Sequence, residues 1–169
     1  MINLNYHKIE KTSIVNGTGI RVVLWVSGCS LHCKGCQNPQ TWDINSGQPF
    51  DEEAKKKLFE ALDNSYIQGI TFSGGHPLEK ENIEQIISLA KEIKDKFPNK
   101  DIWLYSGYTW EEIYYHNISR ILLYIDVLVD GAYIDELRDI TLKWRGSSNQ
   151  RVIDVQKSLI NGTIILYEK

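Results

Sequence analysis

The stretch Ile20-Arg-Val-Val-Leu-Trp-Val26, followed after Ser27-Gly28 by Cys29-Ser-Leu-His-Cys33-Lys-Gly-Cys36, decides how this chain is read. IRVVLWV is a continuous apolar, β-branched run, which suits a strand buried on both faces of a parallel sheet. Similar short runs recur at Gly69–Ser73, Asp101–Tyr105 and Tyr124–Val129. Helical patterns lie between them. From about Asp51 to Leu62, residues Ala54, Leu58, Ala61 and Leu62 share one face; over Glu79–Phe97, Ile83, Ile86, Ile87, Ala90, Ile93 and Phe97 form one stripe that stops at Pro98. Thr109-Trp-Glu-Glu112 is a capping box and opens a third helix. Alternating strands and helices give an α/β class with a mainly parallel sheet. Arg151–Val155 and Thr163–Tyr167 read as further short strands. No repeat, linker or low-complexity stretch interrupts the chain, so residues 1–169 are expected to form a single domain.

The bulk properties are those of an ordinary soluble protein, with 42% hydrophobic and 24% charged residues. A formal charge of −3 disfavours a nucleic-acid partner, whose phosphates call for a basic surface. No apolar run approaches the roughly 20 residues of a membrane span. The start, MINLNYHKIEKTSIVNG, lacks the apolar region of a secretory signal, which makes the cytoplasm the default location. The three cysteines all fall within Cys29–Cys36. An odd, clustered set without a signal peptide describes one ligand cluster rather than a disulfide framework.

That cluster follows the first strand. Ser73-Gly-Gly-His-Pro77 follows the second, Ser106-Gly-Tyr108 the third and Asp130-Gly131 the fourth. Sites in parallel α/β folds are assembled at the carboxyl ends of strands, so four loops are expected to open on one mouth. Thiolates are soft ligands, and a C-x3-C-x2-C loop can wrap an iron–sulfur cubane. Three cysteines leave one iron without a protein ligand, and an open metal position is where a substrate binds. The alternatives are a zinc site with His32 as fourth ligand, in a module without catalysis, and three unrelated buried cysteines. Asn16-Gly-Thr-Gly19 precedes a strand and lacks the Walker lysine, so it reads as a turn rather than a phosphate loop.

The C-x3-C-x2-C loop resembles the signature of the radical S-adenosylmethionine enzymes, and Ser73–Pro77 resembles their glycine-rich methionine-binding motif. Val26–Trp42, Ser73–Leu78, Asp101–Glu112, Asp126–Gly131 and Trp144–Arg151 together resemble the activating proteins of anaerobic (class III) ribonucleotide reductase. The resemblance runs from about Asn16 to Arg151. It implies a shortened partial (β/α) barrel and a [4Fe–4S] cluster held by Cys29, Cys33 and Cys36. S-adenosylmethionine would bind the remaining iron. An electron from reduced flavodoxin or ferredoxin would cleave it, and the 5′-deoxyadenosyl radical would take hydrogen from a glycine of the reductase. An activase for another glycyl-radical enzyme, of the pyruvate formate-lyase type, is the nearest alternative within that chemistry.

By the same resemblance, Gly74 and Gly75 let backbone carbonyls approach the methionine ammonium, and Gly35, Cys36 and Gln37 form the wall against the nucleoside. His76 departs from the acid usual in the superfamily. An imidazole can accept a hydrogen bond but cannot offer a carboxylate's charge. Ser106 and Asp130 are candidates for hydrogen bonds to ribose or methionine groups, against the plainer readings of an ST-turn and an Asp-Gly turn. Arg145–Arg151 carries donors suited to a carboxylate or a partner backbone. Trp42, Tyr108 and Trp110 are expected either to pack or to form a flat docking surface near the mouth.

Overall fold

The computed structural model describes residues 4–168; residues 1–3 and 169, the ends of the expected domain, lie outside it. Seven strands, β1 (Asn5–Ser13), β2 (Ile20–Val26), β3 (Gln48–Pro49), β4 (Ile67–Gly74), β5 (Asp101–Tyr105), β6 (Val127–Asp130) and β7 (Arg151–Asp154), form one sheet in the order β3-β1-β2-β4-β5-β6-β7. Helices α1 (Glu52–Leu62), α2 (Ile83–Lys96) and α3 (Trp110–Tyr115) fall between successive strands of its centre, and α4 (Val155–Asn161) follows β7.

The sheet is mixed. The β2–β4, β4–β5 and β5–β6 pairs are parallel, whereas β1–β2, β1–β3 and β6–β7 are antiparallel. The expectation of a mainly parallel sheet therefore holds only at its centre. Residues 14–19 turn β1 back onto β2, and β7 returns beside β6.

Register assigns the two faces. Leu24, Phe72, Leu104 and Leu128 lie in one row across the four central strands, and Val23, Thr71, Trp103 and Val127 in the next. The first row packs against Leu58, Leu62, Ile86, Ala90 and Ile93 of α1 and α2. Burying an isoleucine is worth roughly 1.5–3 kcal/mol. A helix cap contributes about 1 kcal/mol, so packing governs α2, whose Asn82 makes no side-chain cap bond. On the second face Trp103 meets Trp144 and Tyr167 edge to face at 5.1 and 5.2 Å. The buried Arg21 guanidinium lies over Trp103 at 5.4 Å and pairs with Asp101 at 2.6 Å.

Several boundaries differ from the sequence reading. α2 begins at Ile83 rather than near Glu79, because residues 76–82 form tight turns: Glu79 N–H donates to His76 O and Asn82 N–H to Glu79 O. β6 begins at Val127 rather than Tyr124. Ser119–Leu123 is a short 3-10 helix, and the Asp126 carboxylate accepts from Ile102 N–H and Lys94 Nζ. Thr163–Tyr167 forms no strand, only an isolated bridge between Leu166 and Ile153. The Thr109–Glu112 capping box is present with both reciprocal bonds.

Candidate functional site

The cysteine loop is positioned by its backbone before any side chain acts. Gly28 N–H donates to Thr41 O and Cys29 N–H to Trp42 O, tying the start of the loop to residues 41–42. Across the sheet, Gly75 N–H donates to Val26 O at 2.8 Å and His76 N–H to Gly28 O at 2.7 Å. The loops after β2 and β4 are thus pressed together. A Cβ on Gly75 would lie 2.6 Å from Gly28 O, and Gly74 adopts φ +109° with Val26 N 2.5 Å from where its Cβ would be. Only glycine fits this approach.

The mouth encloses a cavity of about 440 Å³, within the 300–1,000 Å³ usual for ligand sites. Cys29, Cys33, Cys36, Gln37, Gly74, Gly75 and Ser106 line it, together with His76, Tyr105, Arg145 and Gln150. The three thiols are free and half-buried. Burial pushes the Cys29 and Cys33 thiols above the ordinary range, with Cys36 adding to the effect at Cys33. A soft cation would have to displace those protons, which ties metal binding to proton release.

Among the described residues, no three His, Cys, Asp or Glu side chains gather closely enough to hold a single metal ion. His32 is exposed and stacked on Trp42, with ring centroids 4.3 Å apart, and does not line the cavity.

Two predicted residues lie outside the lining. Gly35 is exposed at φ +76°, and the Asp135 carboxylate lies 2.5 Å from where a Cβ would stand. Asp130 is fully buried, and both of its oxygens are occupied. Oδ1 accepts from Arg151 N–H and Nε, while Oδ2 accepts from Trp110 N–H at 2.8 Å and Arg151 Nη2 at 2.6 Å. This pairing, with Glu111 on the other side of the guanidinium, raises the Arg151 pKa and lowers that of Glu111. Asp130 therefore clamps the start of α3 to β7. Ser106 does both things expected of it: it lines the cavity, and its Oγ closes an ST-turn by accepting Tyr108 N–H at 2.9 Å.

The Arg145–Arg151 stretch divides likewise. Arg145 faces the cavity and donates to Gln150 O, whereas Arg151 is engaged with Asp130 and Glu111. Trp42, Tyr108 and Trp110 are half-buried and each packs on another ring, so they form no single flat face.

Glu79 escaped the sequence reading. Its carboxylate accepts from Ser30 N–H at 2.9 Å and Ser30 Oγ at 2.8 Å, beside the first cysteine, and lies 3.5 Å from His76 Nδ1. The His76 contact, then the Ser30 bonds, hold its pKa down to about 2. An acid three residues after His76 on a turn was the available signal.

A family described as "4Fe-4S single cluster domain" matches residues 15–153. The anaerobic ribonucleoside-triphosphate reductase-activating protein of Escherichia coli (strain K12) is 44% identical over 151 residues, covering 88% of this chain and 97% of the relative. The protein of the same name from Enterobacteria phage T4 is 46% identical, covering 88% and 93%. That from Vibrio cholerae is 42% identical, covering 87% and 96%.

Proposed function

The chain belongs to the family of anaerobic ribonucleoside-triphosphate reductase-activating proteins, and we propose that it is a radical S-adenosylmethionine enzyme that installs a glycyl radical on that reductase. When bound, a [4Fe–4S] cluster and S-adenosylmethionine supply the one-electron cleavage whose 5′-deoxyadenosyl product removes hydrogen from a glycine of the reductase. The observation that carries the reading is the convergence of three free thiols and the Gly74-Gly75 cradle on one cavity. The exposed His32, stacked on Trp42, offers no fourth ligand to a zinc ion, which favours the cluster over the zinc alternative.

In this reading Cys29, Cys33 and Cys36 give three thiolates and leave one iron open to the substrate. Gly74 and Gly75 offer backbone carbonyls to an ammonium, and the Ser106 hydroxyl and Gln37 amide offer hydrogen bonds to polar groups. Arg145 brings a cation suited to a carboxylate. Gly35 and Asp130 act at one remove, the first by admitting Asp135 beside the cysteine loop and the second by fixing α3 to β7. We take residues 1–169 as one cytoplasmic domain whose open sheet is a shortened partial barrel, with reduced flavodoxin or ferredoxin as electron donor. No nucleic acid or membrane enters the reading, and no helix among the described residues is long and apolar enough to cross a membrane.

The test is electron paramagnetic resonance after anaerobic reconstitution with iron and sulfide. The protein is incubated with reductant, S-adenosylmethionine and, separately, anaerobic ribonucleoside-triphosphate reductase or pyruvate formate-lyase. A glycyl doublet on the reductase is expected. A doublet only on pyruvate formate-lyase, or a colourless protein holding one zinc, overturns the assignment.

A further inference from the structure

Glu79 has no part in the reading above, although it touches the cysteine loop directly. Its side chain is 12% exposed. Oε2 accepts Ser30 N–H at 2.9 Å and Oε1 accepts the Ser30 hydroxyl at 2.8 Å, so both oxygens turn toward the residue that follows the first cysteine. The turn carrying Glu79 is anchored on the same strand end. Buried Asn82 donates from Nδ2 to Ser27 O at 2.8 Å and to His76 O at 3.2 Å, and His76 N–H donates to Gly28 O. Ser27, Gly28 and Ser30 are therefore each held by residues 76–82.

Restraint alone does not call for a carboxylate here. Ser30 is exposed, and water can satisfy both of its donors. What Glu79 brings that water cannot is a fixed negative charge. Among the described residues it pairs with no Lys or Arg, and its one basic partner is His76, with Nδ1 at 3.5 Å. Bond lengths alone put an oxygen 2.9 Å from Ser30 N within about 8 Å of the Cys29 sulfur. Iron–sulfur potentials respond to net charge and to hydrogen bonds around the sulfurs. Reduction adds one negative charge to a cluster held by three thiolates. A fixed anion at that distance opposes the addition by about tenfold in equilibrium at the dielectric of a protein surface.

We propose that Glu79 is a positioning residue of the cluster: bound to Ser30, its carboxylate keeps a negative charge beside Cys29 and makes the [4Fe–4S] cluster a stronger reductant. The proposal rests on the function proposed above, in which the cluster must give one electron to a sulfonium. That electron comes from the external reductant, and Glu79 makes and breaks no bond. It changes only how far the equilibrium lies toward the reduced cluster.

The test is a redox titration of the reconstituted full-length protein, followed by electron paramagnetic resonance of the reduced cluster at constant pH. Glu79→Gln keeps the size of the side chain and an oxygen for Ser30 N–H but loses the charge. Its equilibrium should move about tenfold toward the reduced cluster, a midpoint about 59 mV higher. Glu79→Asp keeps the charge and should stay nearer the wild type. A merely structural residue would lower iron content in both variants without making the cluster easier to reduce. Before iron is added, the Ser30 amide proton should move upfield in Glu79→Gln, because a charge-assisted bond is lost. An unmoved Ser30 signal, a midpoint in Glu79→Gln that is unchanged or lower, or equal shifts in Glu79→Gln and Glu79→Asp overturns the proposal. If Glu79→Gln retains no iron, Glu79→Ala, which also removes the charge and leaves Ser30 to water, is titrated in its place. Loss of iron in both shows a residue that holds the loop without tuning it, and overturns the proposal too. A wild type that reconstitutes with no four-iron cluster overturns the functional reading instead.

Discussion

The pairing of Arg21 with Asp101 should be sharply asymmetric toward mutation. The Arg21 side chain is 0% exposed, whereas that of Asp101 is 26% exposed, and the two meet at 2.6 Å. Arg21 also donates to Thr71 Oγ1 at 2.9 Å, Ile70 O at 2.8 Å and Thr18 O at 3.1 Å. Burial already lowers its pKa, with Asp101 opposing that effect. Asp101→Asn keeps the shape but leaves a buried cation without its counter-charge, a change that costs about 3–5 kcal/mol. At roughly 2–4 °C per kcal/mol for a chain of this size, the melting midpoint should fall by about 6–20 °C. Arg21→Met removes the charge, fills most of the same volume against Trp103 and leaves Asp101 able to turn to water. We expect that variant to cost no more than about 2 kcal/mol. The Asp101→Asn penalty should then largely vanish in the Arg21→Met background, because the cation it exposes is gone. Thermal unfolding by circular dichroism on the four proteins measures this cycle. An Asp101→Asn penalty that is below about 1 kcal/mol, or equal in both backgrounds, refutes the reasoning.

Gly75→Ala places a methyl 2.6 Å from a backbone oxygen that cannot rotate away, so it should cost about 1–3 kcal/mol and lower the iron retained per chain after reconstitution. Cys33→Ala should abolish the brown absorbance while leaving the far-ultraviolet circular dichroism intact, because its half-buried thiol contributes little to the core. Glu79 titrates near 2 in the folded chain against an ordinary 4.5. A depressed carboxylate pKa stabilises above the unfolded value and loses that contribution as pH falls through the folded one. The stability gap between wild type and Glu79→Gln should therefore be flat above about pH 5 and shrink between 4.5 and 2. A gap that widens on acidification would contradict the His76–Glu79 contact.

Much of the centre of this fold was legible because its signals are local. β2 and β5 coincide with IRVVLWV and DIWLY, apolar runs whose central triplets, Val22, Val23 and Leu24 in the one and Ile102, Trp103 and Leu104 in the other, are fully buried. β1 was not legible. Its sequence, NYHKIEKTS, is largely polar, and two register breaks against β2 erase the two-residue alternation. α4 was missed for its brevity, although Asp154 caps it and Gly162 ends it in the left-handed region at φ +67°. In the candidate site, the cysteines stood out by their spacing along the chain, whereas the Gly-Gly pair read alone as a turn after a strand and drew notice through the motif it resembles. The direction a loop residue faces is a tertiary matter. Asp130 sits at a strand end, as read, but Arg151, twenty-one residues away, turns its carboxylate from the cavity. Glu79 likewise gains meaning only when the loops after β2 and β4 meet at Ser30.

The two margins of the sheet were described only as pairings, yet they bear on how this protein behaves at high concentration. An open sheet offers unpaired backbone groups to any similar chain, and such margins template aggregation. At one side the outermost strand is the two-residue β3, whose Pro49 has no N–H to donate. At the other, Tyr167 N–H donates to Val152 O and Asp154 N–H to Ile165 O, so the chain's own residues 164–167 lie over β7. Solubility thus depends on a short irregular segment remote from the cysteine loop. Trimming that segment would bare β7 as a template for association and would also take Tyr167 away from Trp144, a residue of the cavity wall.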